Sequence, residues 1–386
     1  MSGIKLSGLT TKEKLMKLIT LRSTTPPIDV MPVAEALAEF AKDTGADVEM
    51  QEVQPGKPNC LLTYTWGAGK TLAFNTHMDV NNPEGQIWHY DPFVPQDIEG
   101  RIYGLGACDA KGSLAAMLTA LENLKKHPEG LRGQLVLTAV MGEEAGGLGT
   151  LFLTQHGFHA DSAIVGEPTE LALCTVHKGT YMRRVTFRGK AVHSARSKEG
   201  INAINHTAQF CLQYEGLQRK LDRFSHPILG SANASVTLIS GGTRQNTIPE
   251  SCTVMIDRRL IPGETAQKAD KELDDILSNL KKEIPSLHPY VEVVVSTVPS
   301  ETNTDSKIVR DSLSAIDSVL HNTPKPTGFC GGCDMSKLVH IAHVPTVIFG
   351  PGSMQNAHSP DEYVETKQLD QAALIYETIA RDFLSE

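Results

Sequence analysis

The sequence predicts an α/β protein of two domains, one set inside the other, and three observations carry that expectation. Its 386 residues exceed what a single hydrophobic core usually supports. Over residues 1–178, short apolar runs with few charges alternate with amphipathic stretches, as expected when strands are covered on both faces by helices. From 179 to 296 the order becomes β-α-β-β-α-β, the split βαβ pattern of a ferredoxin-like sandwich. The α/β style then returns over 297–386, so the outer domain joins 1–178 to 297–386 around an inserted one.

Each element has its own signal. "TTKEKLMKLITL" and "PVAEALAEFAKDTGA" read as helices, the second closing at Gly45. "CLLTYTW", "TLAFNTH", "QLVLTAV" and "DSAIVGEPT" read as buried strands. "KGSLAAMLTALENLKKH" is an amphipathic helix, with apolar residues at 114, 117, 118 and 121 and lysines in its last turn. In the insert, "TYMRRVTFRGKAVHS" alternates like a half-exposed strand and "GINAINHTAQFCLQYEGLQRKLDRF" is a long helix. The strands "ANASVTLIS" and "SCTVMIDRRL", the helix "TAQKADKELDDILSNLKKEI" and the strand "YVEVVVSTV" complete it. A helix at "DSKIVRDSLSAIDSVLHN", the strand "PTVIFG" and a final helix from Lys367 follow.

Composition narrows the partners. Forty per cent apolar and 21% charged residues describe an ordinary globular chain. The net charge of −9 argues against nucleic acid and anionic membranes. No apolar run approaches 18 residues, and the N-terminus lacks the pattern of a secretory signal. Seven cysteines, an odd number without framework spacing, point to a reducing cytoplasm.

Polar residues gather where the strands end. "NTHMD" supplies His77 and Asp79, "MGEEAGG" supplies Glu143 and Glu144, "IVGEPT" supplies Glu167, and "GPGSMQNAHSPDE" supplies His358. Asp109 lies in the Gly-bracketed loop "GLGACDAKG" before a helix. The carboxyl edge of an open α/β sheet is where ligands bind. Singly, such a His is a surface group and such an acid a turn residue or cap. Together, two histidines and at least three carboxylates from separate loops form a nitrogen and oxygen donor set that zinc accepts. The doublet fits such a site if the strand's alternation continues through it. One glutamate then binds metal while its neighbour takes a proton from the activated water.

These residues, with "WHYDPF", "HKG", "HSARSKEGINAI" and "DRRLIPG", resemble the acetylornithine deacetylase/succinyl-diaminopimelate desuccinylase group of co-catalytic zinc hydrolases. Aminoacylases and several carboxypeptidases are relatives of that group. The resemblance runs from about residue 60 to 366, with the motifs in the family's order. It implies a zinc-exopeptidase-like α/β/α catalytic domain with the insert as a lid and dimerisation domain. By position, Asp109 would bridge two divalent ions, Zn2+ first and Co2+ or Mn2+ as alternatives. His77 and Glu167 would complete one ion's ligands, and Glu144 and His358 the other's. Glu143 would be the general base, and Asp79 would orient the ring of His77. From the lid, His193 in "VHSA" would assist the tetrahedral intermediate, often across a homodimer interface. Lys178, Asn246 and Arg259 would hold the substrate's carboxylate or the oxyanion.

Departures from the family pattern bear on the substrate. Met78 stands where Thr is usual, Cys108 precedes the bridging Asp, and Ala110 replaces a common Met. "FCGGCDMSKL" places Cys333 where a hydroxyl is common. The expected reaction is hydrolysis of the amide of a small N-acyl amino acid, with N-acetylornithine leading. A succinyl-diaminopimelate-type substrate comes next, then dipeptidase or carboxypeptidase action. Cys330 and Cys333 also raise a thiol-redox alternative of a different class, though the pair lacks the surrounding thioredoxin-like unit.

Overall fold

A computed structural model describes residues 4–385, which divide into two compact units. The first takes the chain up to Val176, then Glu301–Phe329, then from Cys333 on. The second takes His177–Ser300 with Cys330–Gly332. The boundaries thus fall a few residues from the expected 179 and 296. Lys178, expected in the outer domain, groups with the second unit, where its ammonium bonds the Ser231 carbonyl (2.9 Å) and Asn233 (2.5 Å).

The first unit is organised by a nine-stranded mixed sheet. Its parallel centre runs Thr346–Ile348, Ser162–Val165, Thr71–His77 and Gln134–Val140, in that order across the sheet. Lys57–Thr65 continues it antiparallel beside Gln134–Val140, and Asp47–Gln54 closes that edge. The two-residue period sends alternate side chains to opposite faces. Leu72, Phe74, Ile164 and Val347 enter one apolar cluster, with Leu114, Leu118 and Leu121 of the helix Lys111–Lys126 and Ile375 of Thr366–Leu384. Ala73, Ala163, Val165 and Ile348 enter another, with Met335 and Leu338 of the short helix Met335–His340. Burial on both sides explains why these strands read as unbroken apolar runs. Asp47–Gln54 was not anticipated. It is exposed over most of its length, Val48 and Met50 included, so its short alternation of polar and apolar residues marks no buried face.

The second unit has a four-stranded antiparallel sheet in the order Asn233–Gly241, Ser251–Leu260, Gly179–Arg188, His288–Ser296. That order, with the helices Ala203–Leu221 and Ala266–Glu283 between strands, is the ferredoxin-like arrangement. Strand residues Val185, Phe187, Val254 and Ile256 are buried with Phe210 and Tyr214 of one helix and Leu273, Leu277 and Leu280 of the other. Among the described residues no helix is long and apolar enough to cross a membrane.

Candidate metal centre

Strand ends of the first unit bring together residues far apart in the chain. His77 is the last residue of Thr71–His77, and Glu167 follows Ser162–Val165 by two residues. Asp109 ends the glycine-containing loop ahead of Lys111–Lys126, and its peptide bond to Ala110 is cis. Glu143 and Glu144 come just after Gln134–Val140. His358 lies on the loop after Thr346–Ile348 at φ 59°, a left-handed conformation uncommon for a side-chain-bearing residue.

Two donor groups result. In His77, Asp109 and Glu167 the ligand atoms lie within 4.8 Å of one another, and so do those of Asp109, Glu144 and His358. Asp109 belongs to both. Its Oδ1 is 3.1 Å from His77 Nε2 and its Oδ2 is 3.1 Å from His358 Nε2, which also lies 3.3 Å from Glu144 Oε2. One carboxylate therefore presents an oxygen to each side.

The His77 tautomer follows from its surroundings. Nδ1 faces the main-chain carbonyl of Asp79 at 2.8 Å, and a carbonyl can only accept, so Nδ1 carries the proton. Nε2 is left pointing a lone pair at a carboxylate oxygen, which requires either a second proton or a cation between them. Electrostatics agrees. Burial opposes charge on His77, but Asp109, Glu167 and Asp79 raise its pKa well above the usual value. His358 is pushed up to about 11 by its bonds to Asp109 and Glu144. Asp109 is held below the carboxylate range by the two histidines, despite its burial. Burial and then neighbouring acids raise Glu144 and, further, Glu167. Buried like charges of this kind are relieved by divalent cations, and the donor set fits such ions.

Glu143 belongs to neither donor group. Burial and the charge of Asp334 push its carboxyl up to about 8, against the pull of His77 and Lys337. The doublet does not continue the strand's alternation as anticipated. Residues 142–147 form a turn, with Gly146 and Gly147 donating to the Glu143 carbonyl (2.8 and 3.0 Å). Asp79 explains how that turn is held. Its Oδ1 accepts the Glu143 N–H (3.1 Å), and its Oδ2 accepts the Glu144 N–H (3.2 Å) and the Thr25 hydroxyl (3.1 Å). The Asp79 carboxylate, expected to steer the imidazole, is 3.8 Å from Nδ1, so the residue orients the ring through its backbone instead.

Three polar groups here escaped the sequence reading. Buried Asp334 accepts the Thr150 hydroxyl (2.7 Å) and pairs with Lys337 (3.1 Å). Buried Lys111 donates to the Leu21 carbonyl (2.7 Å), and burial pushes its pKa down to about 7, against the charges of Glu362 and Asp79. Glu362 is buried and accepts three backbone N–H groups of the Asp109 loop. Its only sequence signal was its place inside "AHSPDEYV".

In the second unit, His193 and Asn246 sit on one small ribbon. His193 pairs with Thr247, and the Ser194 N–H donates to the Asn246 carbonyl (2.9 Å). The His193 ring is exposed and its Nδ1 accepts the Ala195 N–H (3.2 Å). Arg259 engages Asp257 through two nitrogens at 3.0 Å and reaches the Thr180 hydroxyl (3.1 Å).

The profile of Peptidase family M20/M25/M40 matches residues 73–382. The chain belongs to that family. This M20/M25/M40 peptidase is a metal-dependent amide hydrolase, with two clustered metal-ligand sites that share Asp109. It is 30% identical over 336 residues to an acetylornithine deacetylase of Proteus mirabilis, covering 85% of this chain and 84% of that one. A Myxococcus xanthus acetylornithine deacetylase is 32% identical over 370 residues, 92% of each chain. Among solved structures, a Staphylococcus aureus tripeptidase superposes with TM-score 0.82 over 100% of both chains at 22% identity. An M20 metallo-carboxypeptidase of Sulfolobus solfataricus gives 0.81 over 97% of this chain and 99% of that one at 18% identity. Identities so low speak for the fold: the α/β/α catalytic domain with its separate sheet-rich subdomain.

Proposed function

We propose that the chain removes the acyl group from a small N-acyl amino acid, with N-acetylornithine as the first candidate and Zn2+ as the resident ion. The observation that carries this reading is the pair of donor groups meeting at Asp109 with Glu143 beside them and in neither. His77, Asp109 and Glu167 would hold one ion, and Asp109, Glu144 and His358 the other. When bound, the ions would polarise the amide carbonyl and make a water easier to deprotonate. Glu143 takes that water's proton on its carboxylate and hands it to the departing amine nitrogen. Asp79 fixes the Glu143–Glu144 turn and the His77 tautomer.

From the second unit, His193 and Asn246 stabilise the developing oxyanion, and Lys178 and Arg259 hold the substrate's carboxylate. Two curated relatives named acetylornithine deacetylase, matched along most of their lengths, support the acyl and amino-acid choice. The exposed apolar residues Leu238, Ile239, Tyr290 and Val293 on strands of the second unit support a homodimer formed through that unit. No disulfide forms among Cys60, Cys108, Cys211, Cys252, Cys330 and Cys333, which suits the cytoplasm.

A panel of N-acetyl, N-succinyl and N-formyl amino acids and of dipeptides tests the reading, assayed after chelation and after reloading with Zn2+, Co2+ or Mn2+. Fastest turnover is expected on N-acetylornithine with zinc restored. A preference for dipeptides would reassign the substrate, and full activity in chelator would remove the metal from the reaction.

A further inference from the structure

The loop that delivers Asp109 has little hydrogen bonding of its own. It runs from Gly104 to Asp109 with φ 149° at Gly104 and 80° at Gly106, conformations that favour glycine. Besides the Leu105 N–H on the Pro92 carbonyl (2.8 Å), the Ala107 N–H on the Gly104 carbonyl (3.0 Å) and the Cys108 thiol on the Ser353 carbonyl (3.1 Å), it is held by one residue from far along the sequence. Glu362 Oε1 accepts the N–H groups of Cys108 (2.7 Å) and Asp109 (2.9 Å), and its Oε2 accepts that of Gly106 (3.2 Å). The main-chain carbonyl of Glu362 also accepts the Gly104 N–H at 2.9 Å. Four of the loop's amides therefore end on a single residue. Convergent backbone N–H groups form a concavity that suits an anion, and a buried carboxylate satisfies several donors at once.

Glu362 stands four residues after His358, which is itself 3.1 Å from Asp109. The same carboxylate thus ties the loop of the shared ligand to the segment carrying a donor of the second group. Asp79 does the equivalent for the Glu143–Glu144 turn. We propose that Glu362 is a positioning residue for the dinuclear centre: by gathering the amides of Gly106, Cys108 and Asp109, it sets the attitude in which Asp109 offers one oxygen to each donor group. A glutamine keeps the size but replaces one acceptor oxygen by an amide nitrogen, which sets donor against donor in the loop. An aspartate keeps the charge but falls one methylene short. This inference rests on the dinuclear reading.

The test is Co2+ titration of chelator-treated protein, followed by visible absorption, for wild type, Glu362→Gln and Glu362→Asp. Glu122→Gln is the control, removing another buried carboxylate, one that pairs with Lys14 (3.0 Å) away from the donor groups. Wild type is expected to take up two ions. Glu362→Gln should lose about 10–100-fold in affinity for both, as expected when a group orienting a metal ligand is removed. Its residual Co2+ absorption should differ from wild type in position or intensity. Glu122→Gln should lower the melting temperature and leave titration and spectrum unchanged. If Glu362→Gln lowers only the melting temperature, like the control, the residue is merely structural and the proposal falls. If Glu362→Gln does not fold without metal, Glu362→Asp is read by the same criteria. Wild type that binds no Co2+ would overturn the dinuclear reading itself, a result distinct from failure of the Glu362 assignment.

Discussion

Asp109 in the first unit and Arg259 in the second both bear charge where chemistry is expected, yet their surroundings differ in kind. Asp109 is buried between two imidazoles, and its own backbone N–H is taken up by another carboxylate. Around it the like-charged Glu143, Glu144 and Glu167 are crowded so closely that burial and mutual repulsion raise their pKa values. Arg259 is part-exposed and already neutralised by Asp257. The first region holds an excess of one sign, and a cation completes it. The second is balanced within itself, so a substrate carboxylate must compete with Asp257 for the guanidinium. Loss of a donor side chain should accordingly cost bound metal in the first region, and loss of a side chain in the second should cost only kinetics.

The largest effect is expected at the residue both donor groups share. Asp109→Ala should lose both ions by elemental analysis, together with all measurable turnover. Retention of one tightly held ion would show that the groups are independent. Next comes Glu143→Gln, which should lower kcat about 10²–10⁴-fold, the range for removal of a general base, with two ions still bound. Loss of metal in that variant would make Glu143 a ligand and erase its separate standing. His193→Ala should lower kcat by about 10²–10³, as for loss of an oxyanion donor, with metal content unchanged. Unaltered kcat would leave His193 only its bond to Ala195.

The smallest effect concerns stability and pH. The Glu143 carboxyl, near 4.5 in the unfolded chain, is pushed up to about 8 in the fold. Between those values the native state keeps a proton that the unfolded state has released, so its contribution to stability falls as pH rises. Chelator-treated wild type should therefore melt at a lower temperature at pH 8 than at pH 5. Glu143→Gln should flatten that slope, and an unchanged slope would place the burden on other acids.

What could be read in advance divides along physical lines. His77, Glu167 and the Glu143–Glu144 doublet were visible because each interrupts or follows an apolar run where a strand gains nothing from charge. The ferredoxin-like insert was visible in the change of period from "TYMRRVTFR" onward. Glu362, Lys111 and Asp334 were not, because the importance of each lies in partners as distant in sequence as Gly106, Leu21 and Thr150. Asp79 stood out, but the sequence could not say that its carboxylate would reach amides 64 and 65 residues away instead of the neighbouring ring. Strand alternation also failed at Glu143, because the strand ends at Val140 and a turn takes over.

The order of the donors along the chain bears on how the protein is made. His77, Asp109 and Glu167 leave the ribosome before His358 does. The residues of one donor group are therefore all synthesised before those of the other are complete. The Gly106–Asp109 backbone stays without its Glu362 anchor for the same interval.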